Sequence, residues 1–202
     1  MVEAVRSRSE VISGRINTLE QVVILARRFP SVTSSNELAW ILKHGLAVEA
    51  YRRTHQITQH VPGRDHFDAD IALFTKDPAY WEFIDWIGGG LELNPFGESG
   101  LLITFGDVLL NTAREVTIMG TELICMHPAL VVLHKVTDTR VFRYKDLVDI
   151  RILKLLMISS SSIEHEWEWV ADQGLRFLKN AFLERRGRER WELFKQNPHL
   201  LI

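Results

Sequence analysis

Two aspartates one residue apart, Asp68 and Asp70, are the first candidates for chemistry in this 202-residue chain. They head an apolar run, Ile71-Ala72-Leu73-Phe74. In a strand, side chains two apart face the same way. Both carboxylates would then share one side, with Ala69, Ile71 and Leu73 on the other. Like charges side by side call for something positive between them, and hard oxygen donors suit Mg²⁺ or Mn²⁺. A pair of solvated aspartates at a strand start is the plain alternative. Asp107 adds a third carboxylate, because it interrupts the apolar strand candidate Leu101 to Leu110. An unpaired carboxylate is costly to bury there. If that strand neighbours the first, Asp107 completes a cluster. A turn at Phe105-Gly106-Asp107 fits the residues equally well.

A second group of residues suits phosphate. Trp40 to Val48 reads as strand, tight turn and helix start, and the backbone N–H groups of a helix start favour anions. Lys43 adds a positive charge beside His44 and Gly45, and Arg64 lies four residues before Asp68. Other chemistry-bearing residues are read as structural. His55, His60 and His66 fall in one polar stretch and are expected to be solvated. Gly88 to Gly100 lacks the Gly-Lys-Ser/Thr ending of a phosphate loop. Cys125 is expected in the core. Arg185, Arg186, Arg188 and Arg190 could meet RNA phosphates. Glu184, Glu189 and Glu192 interrupt them, so a solvated helix end is the expected reading.

The elements that would position these groups alternate in type. Residues 1–16 are polar and expected to be a flexible N-terminus. Asn17-Thr18-Leu19-Glu20 opens a helix that Pro30 ends. Leu38 to Leu42 has the unbroken apolar character of a strand buried on both faces. Leu46 to Tyr51 looks helical, Arg52 to Arg64 a loop, and Asp68 to Phe74 a strand. Asp77-Pro78 starts a helix with Tyr80, Trp81, Phe83, Ile84 and Ile87 inward. Leu91 to Gly100 reads as irregular. Val116–Met119 and Glu122–Met126 pair around Gly120. Pro128 opens a helix through Lys135, and Tyr144 to Met157 forms the next, with Leu147, Ile150 and Leu153 or Leu156 inward. After the serine linker at 159–162, one long amphipathic helix carries Trp167, Val170, Ala171, Leu178, Ala181 and Phe182. The expectation is an α/β (α+β) protein: a core over 17–126 with a mixed sheet flanked by helices, and a helical C-terminal part over 127–202 packed on it.

Composition narrows the classes. Lys plus Arg total 24 and Asp plus Glu 26, a formal net charge of −2, with 46% hydrophobic residues. That balance excludes a disordered chain and argues against a strongly basic nucleic-acid binder. No apolar run approaches the ~20 residues a membrane helix needs, and the polar start has no apolar stretch of a secretory signal. One cysteine rules out an internal disulfide and a thiolate-rich zinc site. A cytoplasmic setting is expected.

Four blocks, in order, resemble the minimal nucleotidyltransferases of the polymerase-β-like superfamily. Leu42-Lys43-His44-Gly45-Leu46-Ala47 is similar to their glycine turn, and Arg64 to Leu73 to their arginine and Asp-x-Asp strand. Met126-His127-Pro128 to Lys135 resembles their proline-initiated helix bearing a lysine. Arg140 with Arg143-Tyr144-Lys145-Asp146-Leu147-Val148-Asp149 resembles their arginine and Lys-Asp-x-x-Asp helix. The nearest branch is the abortive-infection, AbiEii-type family, which includes type IV toxin nucleotidyltransferases. The resemblance implies a nucleotidyltransferase fold, Mg²⁺ or Mn²⁺ on Asp68, Asp70 and Asp107, and transfer of a nucleoside monophosphate from an NTP to an acceptor hydroxyl. It places Lys43, His44, Gly45, Arg64, Lys135 and Lys145 at the nucleotide. The acceptor is open among RNA, protein and a small molecule, and the family admits a toxin role with an antitoxin partner or a homo-oligomer. His44 departs from the family glycine and His66 from its usual serine. A catalytically inactive member that acts as a binding or regulatory partner is the alternative.

Overall fold

The computed structural model of the chain describes residues 16–57, 65–66, 69–75, 77–80, 91–93, 108–137, 143–159, 164–176 and 181–196. It is an α/β structure in which helices flank a five-stranded mixed sheet. The elements run α1 (Leu19–Arg28), β1 (Trp40–Lys43), α2 (His44–Thr54), β2 (Asp70–Leu73), a 3₁₀ turn (Pro78–Tyr80), β3 (Leu91–Leu93), β4 (Arg114–Ile118), β5 (Thr121–Cys125), α3 (Pro128–Thr137), α4 (Tyr144–Ser159), α5 (Glu164–Arg176) and α6 (Ala181–Gln196).

Strand order is β3-β2-β1-β5-β4. β1 is central and buried throughout, as its unbroken apolar run Trp40-Ile41-Leu42 requires. It pairs antiparallel with β2, opposing Lys43 to Asp70, and parallel with β5 through Leu42 and Cys125. The Trp40 indole N–H donates to the Phe29 carbonyl at 2.8 Å, which satisfies the polar atom of a large buried ring. β4 and β5 form the expected hairpin, and Met119 and Gly120 both take positive φ in its two-residue turn.

α1 begins one residue later than the sequence suggested. Thr18 is the N-cap, and its hydroxyl accepts from the Gln21 N–H while the Gln21 side chain accepts from the Thr18 N–H. α3 has an unusual start. The Nδ1 of buried His127 accepts the Ala129 N–H at 3.1 Å, so the imidazole satisfies a first-turn donor of the helix. Burial, helped by the Arg114 charge, lowers the His127 pKa to about 3, so the ring stays neutral with its proton on Nε2. That nitrogen faces Glu166 Oε1 at 3.6 Å, and Glu166 also meets Arg114. α5 is thereby tied to the mouth of α3.

The C-terminal helices pack on α3. Gly174 of α5 crosses it so closely that a Cβ would lie 2.7 Å from Leu130 and 2.9 Å from Leu133. Arg190 of α6 donates to the Val136 carbonyl at 3.2 Å, satisfying an acceptor at the end of α3.

Several expectations are corrected. Leu91–Leu93, read as irregular, is strand β3, parallel to β2. Three residues beside a glycine run are too short to show alternation, and pairing with the sheet decides their state. The strand candidate Leu101 to Leu110 does not extend to its end, because residues 108–112 are helical. A short apolar run reads alike as buried strand or buried helix. The single C-terminal helix is two, α5 and α6, with Ala181 and Phe182 at the head of the second. The helix after Lys43 starts at once rather than at Leu46 and continues past Tyr51 to Thr54. Trp81, Phe83, Ile84, Ile87, Leu178 and the serine linker from 160 onward lie outside the described residues. Among the described residues no helix is long and apolar enough to cross a membrane.

Candidate functional site

The site begins where β1 becomes α2. Lys43 closes the strand and serves as N-cap in extended backbone, with no side chain capping the helix. The first N–H groups of a helix lack intrahelical acceptors, and the helix start carries partial positive charge. Lys43 is only 3% exposed and stands across the β1–β2 ladder from half-buried Asp70. The antiparallel register therefore sets a cation and a carboxylate level with each other at the edge of the helix start.

His44 follows with φ +48°. Residues other than glycine are uncommon in this left-handed region, histidine being among those enriched there, and such a conformation costs of order 1–3 kcal/mol. Glycine would adopt it freely. The Nδ1 of His44 is enclosed and has no hydrogen-bond partner among the described residues. Its ring lies against His134, with centroids 4.2 Å apart and planes tilted 35°. Burial first, then the His134, Lys43 and Lys135 charges, hold the His44 imidazole well below its ordinary pKa.

His134 and Lys135 occupy the last turn of α3. The Lys135 ammonium bridges α3 to α4, 3.0 Å from Asp146 Oδ1 and 2.8 Å from Asp149 Oδ2. Asp146 and Asp149 are three apart on a helix and so share a face. Arg143 grips Asp146 as well, its Nε 2.9 Å from Oδ2 and its backbone N–H 3.3 Å away. Burial opposes ionisation of Asp146, yet the Arg143 and Lys135 contacts outweigh it and hold the carboxyl far below the usual carboxylate range. Lys145, half-buried, lies in the first turn of the same helix.

These contacts bring four of the expected nucleotide residues, Lys43, His44, Gly45 and Lys135, into one neighbourhood. Asp70 stands on the adjoining strand, while Asp146 and Asp149 hold Lys135. Arg64, Asp68 and Asp107 lie outside the described residues. Val108, directly after Asp107, begins a helical stretch over residues 108–112. Asp70 offers the hard carboxylate oxygen that Mg²⁺ takes. Among the described residues no group of three or more His, Cys, Asp or Glu side chains could hold a metal ion.

His134 and Arg143 were not singled out as site residues from sequence. His134 neighbours Lys135, but nothing in its spacing points to His44, because the contact joins two helices far apart in the chain. The remaining candidates fall elsewhere. His55 is exposed at the end of α2, and His60 is not among the described residues. His66 lines a cavity of about 280 Å³ with Thr18, Glu20, Glu49, Arg53 and Asp65, some turns along α2 from His44. Buried Glu49 is gripped there by Arg52 and Arg53, each at 2.7 Å. Cys125 is buried in β5, and burial pushes its thiol pKa up. The arginine run near the C-terminus engages neighbouring groups: Arg188 pairs with Glu184 and Asp172, Arg185 with Glu189, and Arg190 with the Val136 carbonyl.

No family model, curated protein or solved structure matches the chain.

Proposed function

We propose that the protein is a metal-dependent nucleotidyltransferase that transfers a nucleoside monophosphate from an NTP to an acceptor hydroxyl. One observation carries the reading. The uncapped start of α2 lies beside Lys43, and the His44–His134 contact draws it to Lys135, with Asp70 on the adjoining strand. A helix start with flanking lysines suits a phosphate chain, and a carboxylate beside it suits the divalent cation that accompanies phosphate. Asp70, with Asp68 and Asp107, would hold Mg²⁺ or Mn²⁺. When bound, the ion supplies Lewis-acid stabilisation of charge on the transferring phosphoryl group.

The chain's own residues do the rest. The first N–H groups of α2 and the Lys43 ammonium receive phosphate oxygens. Lys135, fixed by Asp146 and Asp149, keeps its charge at a set position close to the α2 start. The buried floor of β1 leaves little room for water behind the phosphates, which strengthens each of these contacts.

A second reading is supported by His44. Its side chain stands where glycine would let the backbone approach phosphate closely, which favours a protein that binds nucleotide without transferring it. The test is incubation with each α-labelled NTP, Mg²⁺ and total RNA, comparing wild type with Asp70→Asn. Label transferred by wild type and lost in the variant supports the enzyme. Nucleotide- and Mg²⁺-dependent thermal stabilisation with no transfer supports the binding protein. Neither transfer nor stabilisation at millimolar nucleotide overturns both.

A further inference from the structure

Three features of the phosphate-side turn stand without structural compensation. His44 holds a left-handed backbone that glycine would hold without strain. Its Nδ1 is enclosed with no partner among the described residues. Its ring is pressed against a second imidazole at 4.2 Å. A strained, half-buried side chain with an enclosed, unsatisfied nitrogen points to a partner that arrives with a ligand.

The surrounding charges indicate which ligand. Lys43 of β1 and Lys135 of α3 face the imidazole as cations, and the start of α2 adds partial positive charge. Asp70 of β2 opposes Lys43, while Asp146 and Asp149 of α4 are engaged with Lys135, and Arg143 with Asp146. The two ring planes are tilted by 35°. The charges acting on the His44 imidazole are cationic, so an anion is favoured there over a further cation. An anion at this turn meets the partial positive charge of the helix start and gives a protonated Nδ1 an acceptor.

Resting on the nucleotidyltransferase reading, we propose that His44 makes phosphate-chain binding proton-linked: the turn takes up a proton as a polyphosphate or nucleoside triphosphate binds, with Nδ1–H donating to a phosphate oxygen. The free site holds His44 neutral, because burial and the neighbouring cations disfavour its charge. Exposed His134 lies against His44, and its charge opposes protonation of the His44 ring. The consequence is a site that binds phosphate more tightly as pH falls toward 6.

Calorimetric titration with inorganic tripolyphosphate and with each NTP tests this, in two buffers of different ionisation enthalpy at pH 6, 7 and 8. Wild type is expected to take up more protons than His44→Gly. Its affinity is expected to fall by up to about tenfold per pH unit as pH rises between the pKa of the free site and the higher pKa of the bound site. His44→Gly keeps only the titration of the phosphate itself. His44→Asn, which also tolerates left-handed backbone, serves if the glycine variant does not fold. His134→Ala removes the repelling ring and is expected to move the linkage to higher pH without abolishing it. Equal proton uptake in wild type and both His44 variants overturns the proposal, as does absence of binding by tripolyphosphate and every NTP. Uptake with tripolyphosphate alone assigns the site to free polyphosphate, and uptake with NTPs to nucleotide. Nucleotide transfer with no difference in uptake leaves the enzyme reading standing while this one fails. Difference in uptake without transfer does the reverse.

Discussion

Lys135 and Asp149 lock α3 to α4 through an ion pair of 2.8 Å in which the carboxylate side chain is 1% exposed. Breaking a buried pair costs about 3–5 kcal/mol where the other charge is left alone, but Lys135 keeps Asp146 at 3.0 Å, so the loss here is smaller. Asp149→Ala should lower the urea midpoint by about 1–3 kcal/mol of stability, with an unchanged slope. Lys135→Met combined with Asp149→Leu should recover part of the loss, because no isolated charge remains at that position. A loss under 1 kcal/mol in Asp149→Ala would show that solvent reaches the pair.

His127 should make the fold acid-sensitive well above the carboxylate range. The unfolded chain protonates this imidazole at its ordinary pKa, whereas the fold keeps it neutral down to about 3. The unfolded state therefore binds more protons between those values, and stability falls as pH falls. The slope from this group is about 1.4 kcal/mol per pH unit. His44 acts in the same direction. Asp146, held low by Arg143 and Lys135, adds its loss only below its unfolded pKa of about 3.9. His127→Asn keeps an acceptor for the Ala129 N–H but cannot titrate. Its denaturation profile between pH 6 and 4 should be flatter than wild type.

His44→Gly should stabilise the free protein. Glycine relieves the positive φ, a gain of up to about 1 kcal/mol after its own unfolded-state entropy is counted. Calorimetry should show a melting temperature higher by about 2–4 °C for a chain of this size. A lower melting temperature would mean that the ring contact with His134 outweighs the strain.

Gly174 should resist larger residues. Val at this position places its Cβ within 3 Å of Leu130 and Leu133, where only those side chains can give way. Overpacking of this kind costs about 1–3 kcal/mol. Gly174→Ala should be milder, since the leucine ends shift and alanine regains about 1 kcal/mol of helix propensity. Chemical denaturation of the two variants gives the comparison.

The sheet was legible in sequence where local chemistry decides structure. Trp40-Ile41-Leu42 announces a strand buried on both faces, the Gly120 turn announces its hairpin, and Pro128 announces α3. β3 was not legible, because Leu91-Glu92-Leu93 is strand only through its pairing with β2. The break between α5 and α6 was hidden by an amphipathic period that runs across it without proline. At the site, Lys43, His44 and Gly45 were found from the strand–turn–helix pattern, and Lys135 from the resemblance. The partners of Lys135 were not legible. Nothing in the spacing points from Lys135 to Asp149, which the fold brings to it from another helix. The His44–His134 contact has no local signal at all, since it exists only once α3 has folded back on the start of α2.

The central strand also sets a timetable. β1 gains its first neighbour once Leu73 exists, but its other edge stays open until Cys125 has been made. At about 5–20 residues per second of synthesis, the backbone of Trp40 to Leu42 stays unpaired on that side for several seconds. An apolar edge of this kind invites pairing with other chains. The nascent protein therefore passes through a window in which the strand carrying Lys43 is most exposed to mispairing, and arrival of the Thr121–Cys125 strand closes it.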